Sequence, residues 1–223
     1  TGVTDGYVLT ADGSDAAAWE AAGGGGATEL SGLSDVLIDA TNFTNSFLIQ
    51  TNSDGSAPTT GTLSSASDNI GLGRDVFKYL TSSQQNNAIG NRAGYKITTG
   101  GANNLYGYSA GRNLTEGMRN CFFGHDAGYT LTTSDYNLAM GYQSLKLASG
   151  AATRNIAIGH YALDSATTES DNIAIGYDAL GGAVAGAEFN VAIGNYSADA
   201  LTTGDDNVMI GYQAGTAATS TAS

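Results

Sequence analysis

Few side chains in this 223-residue sequence have the chemistry for catalysis or metal binding, and their spacing limits what they can do. The only histidines, His125 and His160, each directly follow a glycine, a place that Tyr108, Tyr142, Tyr177 and Tyr212 occupy elsewhere. A zinc or catalytic centre needs ligands that converge. These two histidines lie 35 residues apart, two turns of the repeat described below, which at ~4.8 Å per strand separates them by roughly 9 Å. That is too far to share a metal. The column reads instead as flat side chains packed along a groove, with glycan stacking as the lesser alternative, for which Tyr108, Tyr142, Tyr177 and Tyr212 are the candidate contacts. The acidic turns Ser170-Asp171 and Asp205-Asp206 invite calcium, but the G-G-x-G-x-D repeat of calcium-binding β-rolls is missing, which favours solvated turns. No G-x-S-x-G motif, phosphate-cradling loop or carboxylate pair stands out, and Gly71-Leu72-Gly73 belongs to the repeat and is no nucleotide fingerprint. Cys121, the single cysteine, sits at an apolar repeat position and reads as an inert buried thiol. The expectation is therefore no catalytic residue, no metal site and no cofactor.

What positions these side chains is a repeat. Asn172-Ile173-Ala174-Ile175-Gly176 typifies a pattern of Asn, apolar, small, apolar, Gly whose glycines fall at Gly73, Gly90, Gly107, Gly124, Gly141, Gly159, Gly176, Gly194 and Gly211, always 17 or 18 residues apart. A period this short makes each copy one coil of a solenoid, unable to bury its apolar face without its neighbours. The clearest repeat positions are Asn155, Ile158, Gly159, Asn172, Ile175, Gly176, Asn190, Ile193, Gly194, Asn207, Ile210 and Gly211. The two positions flanking the central residue share one strand face, and the central residue points the other way. Both faces are apolar, so both need cover, and one coil's interior covers only one. The flanking column, with Ile175, is expected to fill the coil; the central column, with Ala139, Ala157, Ala174 and Ala192, is expected to meet a second copy of the chain. Asn is expected to tolerate left-handed backbone and to pair with the amide one rung away, and Gly to allow positive φ or close backbone approach. Small residues three past each Gly and Leu or Ile seven past it (Leu80, Ile97, Leu114, Leu131, Leu201) form a second packed segment.

Composition narrows the classes. Hydrophobic residues make up 41% and charged residues 13%, with 32 Gly and one Pro, a mix suited to short strands and turns. No run of about 18 apolar residues exists for a membrane-spanning helix, so no membrane insertion is expected. Eight Lys and Arg against 21 Asp and Glu give a net charge of −13. Such a surface disfavours nucleic acid, because phosphate binding needs cations to displace counterions.

The chain divides into residues 1–20, a small β-hairpin module whose turn is Asp12-Gly13 and which carries Trp19; residues 21–28, a Gly-rich linker containing Gly23-Gly24-Gly25-Gly26; residues 29–68, an irregular β entry segment; residues 69–218, the repeats; and a tail, 219–223. Within the entry segment Asn45-Ser46-Phe47-Leu48-Ile49 resembles an imperfect rung, and residues 51–68, with Pro58, read as a loop or irregular entry coil.

The N-x-A-I-G-x-x-A/S unit resembles the head repeat of YadA-type trimeric autotransporter adhesins and the N-x-A-I-G-Y-x-A-L arrays of phage tail fibres. It covers about two-thirds of the chain. The stretch from Gly6 to Trp19 and the phrase Leu30-Ser31-Gly32-Leu33-Ser34-Asp35-Val36 are also similar to phage-fibre sequences. The resemblance implies an all-β fold, a left-handed parallel β-roll of about nine 17-residue coils, and three chains around one axis. It further implies a structural or attachment role without enzymatic activity or cofactor. No anchor, neck or stalk of the autotransporters is present in these residues, which favours the phage comparison. The expected protein is thus a homotrimeric tail-fibre shaft or tip segment in a virion tail or on an extracellular surface, with other virion tail proteins and a host glycan or protein receptor as partners. Alternatives are a bacterial surface adhesin, a self-assembling extracellular filament and, less favoured, a polysaccharide-degrading tailspike.

Overall fold

The structure, a computed structural model, describes residues 7–11, 17–21, 36–52, 59–147, 152–166, 168–182 and 186–217. The Gly-rich tetrad, the Asp12-Gly13 turn, the Leu30–Asp35 phrase, Pro58 and the 219–223 tail lie outside the described residues. Every described element is a strand. Strands β1 (Tyr7–Ala11) and β2 (Ala17–Ala21) pair antiparallel with Leu9 opposite Trp19.

A second sheet contains the repeats. Strands β6 (Ile70–Leu72), β7 (Asn87–Ile89), β8 (Asn104–Tyr106), β9 (Cys121–Phe123), β10 (Leu138–Met140), β11 (Ile156–Ile158), β12 (Ile173–Ile175), β13 (Val191–Ile193) and β14 (Val208–Ile210) pair in chain order, all parallel. Equivalent repeat positions lie opposite one another, for example Ala157 beside Ala174 and Ala192. The fold is a β-solenoid of about eight turns. Three-residue strands cannot be stable in isolation; stacking supplies every ladder partner.

The entry segment is more regular than the sequence suggests. Strand β3 (Val36–Ala40) pairs antiparallel with β4 (Phe43–Ile49), and β4 then pairs parallel with β6, Phe47 opposite Ile70 and Ile49 opposite Leu72. The imperfect rung is a real one, with Ser46 in the Asn place: its Oγ accepts from the Asn69 backbone N–H at 2.9 Å. A short β5 (Ala66–Ser67) also joins β4.

The face assignment is inverted relative to the sequence reading. The central residues Ala88, Leu105, Phe122, Ala139, Ala157, Ala174 and Ala192 are all 0% exposed and fill the coil. Their flanking neighbours point outward, from half-buried Ile173 and Ile175 to Phe123 at 38% and Val208 at 69% exposed. The reason is volume. A coil of 17 residues encloses space for one side chain from the strand, the small residue after Gly, and Leu or Ile further on; the bulkier flanking pairs do not fit. The expected second segment is present, with Leu80, Ile97, Leu114, Leu131 and Leu201 buried.

The Asn and Gly columns have separate jobs. Asn137 Oδ1 accepts both the backbone N–H and the side-chain amide of Asn155, at 3.0 and 3.2 Å, and the same pattern runs from Asn69 towards Asn207. These amides are buried and satisfied, which removes the cost of burying them. They do not adopt left-handed backbone, contrary to expectation. That conformation falls one residue earlier, at Asp68, Gln85, Ala102, Arg119, Tyr136, Arg154, Asp171, Phe189 and Asp206, with φ from 57° to 62°. There the turn must reverse before the strand begins. The rung glycines combine positive φ with close stacking: Gly176 has φ 138°, and a Cβ added there would lie 2.6 Å from the carbonyl carbon and oxygen of Gly194.

Candidate attachment surface

Two surfaces remain once the interior is full. The first is the outward double column of the sheet, which runs from Ile70 and Leu72 through Leu138 and Met140, Ile156 and Ile158, and Ile173 and Ile175, to Val208 and Ile210. Its repeat residues Ile158, Ile175, Ile193 and Ile210 stand in adjacent rungs. Polar or reactive members interrupt it only near β7 to β9, at Asn87, Asn104 and Cys121. Asn87 donates to Asn104 Oδ1 at 3.0 Å. Cys121 is partly accessible rather than buried, and partial burial raises its thiol pKa, so it stays protonated and poorly nucleophilic at neutral pH.

The second surface follows the rung glycines. Tyr108 and His125 stack at 4.7 Å with their planes 17° apart, and His125 meets Tyr142 at 5.3 Å. Tyr142 separates the two histidines, with His160 6.1 Å beyond it. Among the described residues, no group of three or more His, Cys, Asp or Glu side chains is arranged to hold a metal. Past Tyr142 the ladder zigzags through Tyr161, Tyr177, Tyr196 and Tyr212, with edge-to-face angles from 62° to 86°. Tyr161 and Tyr196 come from the position two past Gly, which the sequence reading did not single out. Because Tyr108, Tyr142, Tyr177 and Tyr212 each meet an intervening ring, His125, His160, Tyr161 or Tyr196, the four candidate glycan contacts form part of a continuous ladder.

Beside the ladder runs the column five past Gly: Lys78, Tyr95, Arg112, Tyr129, Lys146, then Asp164, Gly181 and Asp199. Arg112 lies over Tyr95 at 5.2 Å and Tyr129 at 5.5 Å and donates to the Tyr129 hydroxyl at 2.8 Å. Arg92, from the position two past Gly, approaches Tyr95 at 5.9 Å. A cleft of about 340 Å³ opens here, lined by Arg92, Tyr108, Arg112, Asp126, Tyr129 and Lys146. Its signal was visible in the sequence: all eight cations fall between Arg74 and Arg154, where only four carboxylates occur, while residues from Asn155 onward carry eight carboxylates and no cation. At the acidic end burial raises the carboxyl pKa of Asp164, and burial followed by the charge of Asp199 raises that of Asp178.

The acidic turns hold backbone. Asp205 accepts from the Glu188 N–H at 2.8 Å, and Glu169 from the N–H groups of Thr168 and Gly186, both at 2.8 Å. Asp171 accepts from Arg154 Nε and Nη2, each at 2.6 Å, and that hydrogen-bonded partner lowers its pKa. No protein-family model, curated protein or solved structure matches this chain.

Proposed function

We propose that the chain is a non-catalytic structural segment of an attachment fibre, assembled as a side-by-side homotrimer of left-handed solenoids at a virion tail or extracellular surface. The observation that carries this reading is the outward apolar double column. Stacked over nine rungs it makes an apolar strip, interrupted only at Asn87, Asn104 and Cys121, far from the scattered single residues that a soluble monomer exposes without consequence. A second and third copy of the same strip are the simplest cover, because parallel solenoids present matching rungs at matching spacing. Assembly would also place three copies of any receptor-binding surface side by side and turn weak single-site binding into avidity.

Sedimentation of the intact chain tests this. A trimer is expected at micromolar concentration, and Ile175→Arg should release folded monomers, because three cations would meet in an apolar contact. A wild-type chain that sediments as a stable monomer would overturn both the assembly and the attachment role built on it.

A further inference from the structure

We propose that the cleft between Arg92, Arg112 and Lys146 binds an acidic saccharide, a sugar ring bearing a carboxylate. This deepens the attachment reading by naming a ligand class, and it stands on different residues from the assembly. The cleft's volume, about 340 Å³, is at the lower end of the range for small-ligand sites and suits one or two sugar rings.

Its charge is local. Three cations line it against one carboxylate, Asp126, which lies 3.2 Å from His125 Nδ1. Arg92 reaches Asp75 only at 3.5 Å, and Asp75 also binds Lys78 at 3.1 Å. Arg112 is held by neutral groups alone among its contacts described above: a tyrosine hydroxyl and two ring faces. Those groups fix the planar guanidinium without cancelling its charge, which leaves a rigid fork suited to bidentate carboxylate recognition. Tyr108 starts the ring ladder, so it has a ring neighbour on one side only among the described residues, and it is 43% exposed. A flat ring beside a fixed guanidinium can take the apolar face of a sugar and its carboxylate together.

Nucleic acid fits less well. A polyphosphate chain needs a continuous cationic track. Here the cationic column ends at Lys146 and turns into Asp164 and Asp199.

Calorimetric titration of the full chain with trigalacturonic acid, its neutral methyl ester, 3′-sialyllactose, inorganic phosphate and a single-stranded oligothymidylate decides the matter. At least one of the two carboxylated sugars should bind; if it is the uronate, the ester should bind at least about tenfold more weakly, as expected for losing a charge-assisted contact. Arg112→Gln with Lys146→Gln should produce a similar loss. Lys146→Gln alone, on the cleft rim, guards against misfolding of the double variant and should still weaken binding by a few fold. The proposal is overturned if neither carboxylated sugar binds, if the ester binds as well as the uronate, if the variants bind like wild type, or if phosphate or the oligonucleotide binds more tightly than both sugars. Ile175→Arg separates this from the trimer: it should change sedimentation and leave single-site affinity intact.

Discussion

Neighbouring blocks of coils fill the same interior in opposite ways. In the coils of β8 and β9 the strand contributes Leu105 and Phe122, and the residue four past Gly is Gly111 or Gly128. A Cβ on Gly111 would lie 2.9 Å from Leu105 Cδ2, and one on Gly128 would lie 2.5 Å from Phe122 Cε2. In the coils of β10, β11 and β12 the strand contributes Ala139, Ala157 and Ala174, and the same later position holds Leu145, Leu163 and Leu180, all buried. The first repeat follows the second pattern, with Gly71 facing Phe77. All these later positions have left-handed backbone, including Leu145, Leu163 and Leu180 at φ 51° to 52°. For leucine that conformation costs on the order of 1–2 kcal/mol, and filling the space that Ala leaves offsets it. In these coils the two contributors trade size, whereas the coils of β7 (Ala88 with Gly94) and β13 (Ala192 with Ala198) are small at both positions, so a column read alone misleads.

The outside divides too. The cations, the face-stacked Tyr108–His125 pair and the cleft occupy the coils up to that of β10; from the coil of β11 onward come Asp164, Asp178 and Asp199 beside edge-to-face tyrosines. An invariant backbone thus supports opposite surface chemistries one coil apart.

The sharpest test of the interior contrasts Ala174→Arg with Ile175→Arg. The first places a cation in a dry coil against Leu180 and should abolish cooperative folding, since an unpaired buried charge costs several kcal/mol. The second points outward and should leave the coil cooperatively folded, with only the lower melting temperature expected of a released monomer. Similar circular dichroism losses for both would return the faces to the opposite assignment.

Next in size is the glycine column. Gly176→Ala meets strain and the Gly194 carbonyl together and should cost more than ~3 kcal/mol. Gly211→Ala, in the last described rung, would find only Ala214 Cβ at 3.9 Å and should show the strain alone, about 1–2 kcal/mol. Equal losses in chemical denaturation would mean that stacking adds nothing.

Size trading predicts rescue. Phe122→Ala should cost ~3–5 kcal/mol. Adding Gly128→Leu rebuilds the arrangement of Ala157 with Leu163 and should recover half or more of that loss. A double variant no more stable than the less stable single variant would show that the blocks are not interchangeable.

The smallest effect is electrostatic. Asp164 and Asp178 have raised pKa values when folded, so their ionised forms oppose folding. The penalty is absent below the unfolded carboxylate range and grows as pH rises through it to above the folded pKa. Asp171, lowered by Arg154, contributes the other way, but its exposed pair is worth little. Asp178→Asn should therefore raise the melting temperature at neutral pH and leave it unchanged near about pH 3, below the unfolded carboxylate range. A neutral-pH gain of zero would remove Asp178 from the account.

Much was legible before any coordinates. Period, coil boundaries, the Asn amide ladder, the tight rung glycines and the rung at Phe47 to Ile49 all follow from local repetition, because stacked parallel coils force equivalent residues into contact. The confinement of every cation to residues 74–154 is likewise a property of the sequence alone. Which strand face lies inside was not legible. Alternation says only that Ala174 and Ile175 oppose each other; the enclosed volume chooses between them, and that volume depends on Leu180 and Leu163 arriving through left-handed turns. Likewise Tyr161, Tyr196, Arg112 and Lys146 occupy repeat positions with no consensus, and only closure of the coil brings them beside the glycine column. The sequence by itself determined a stacked β repeat with its rungs in order, since period and register are one-dimensional properties. The tertiary structure decided inside from outside and assembled the cleft, since both depend on how a closed coil distributes space.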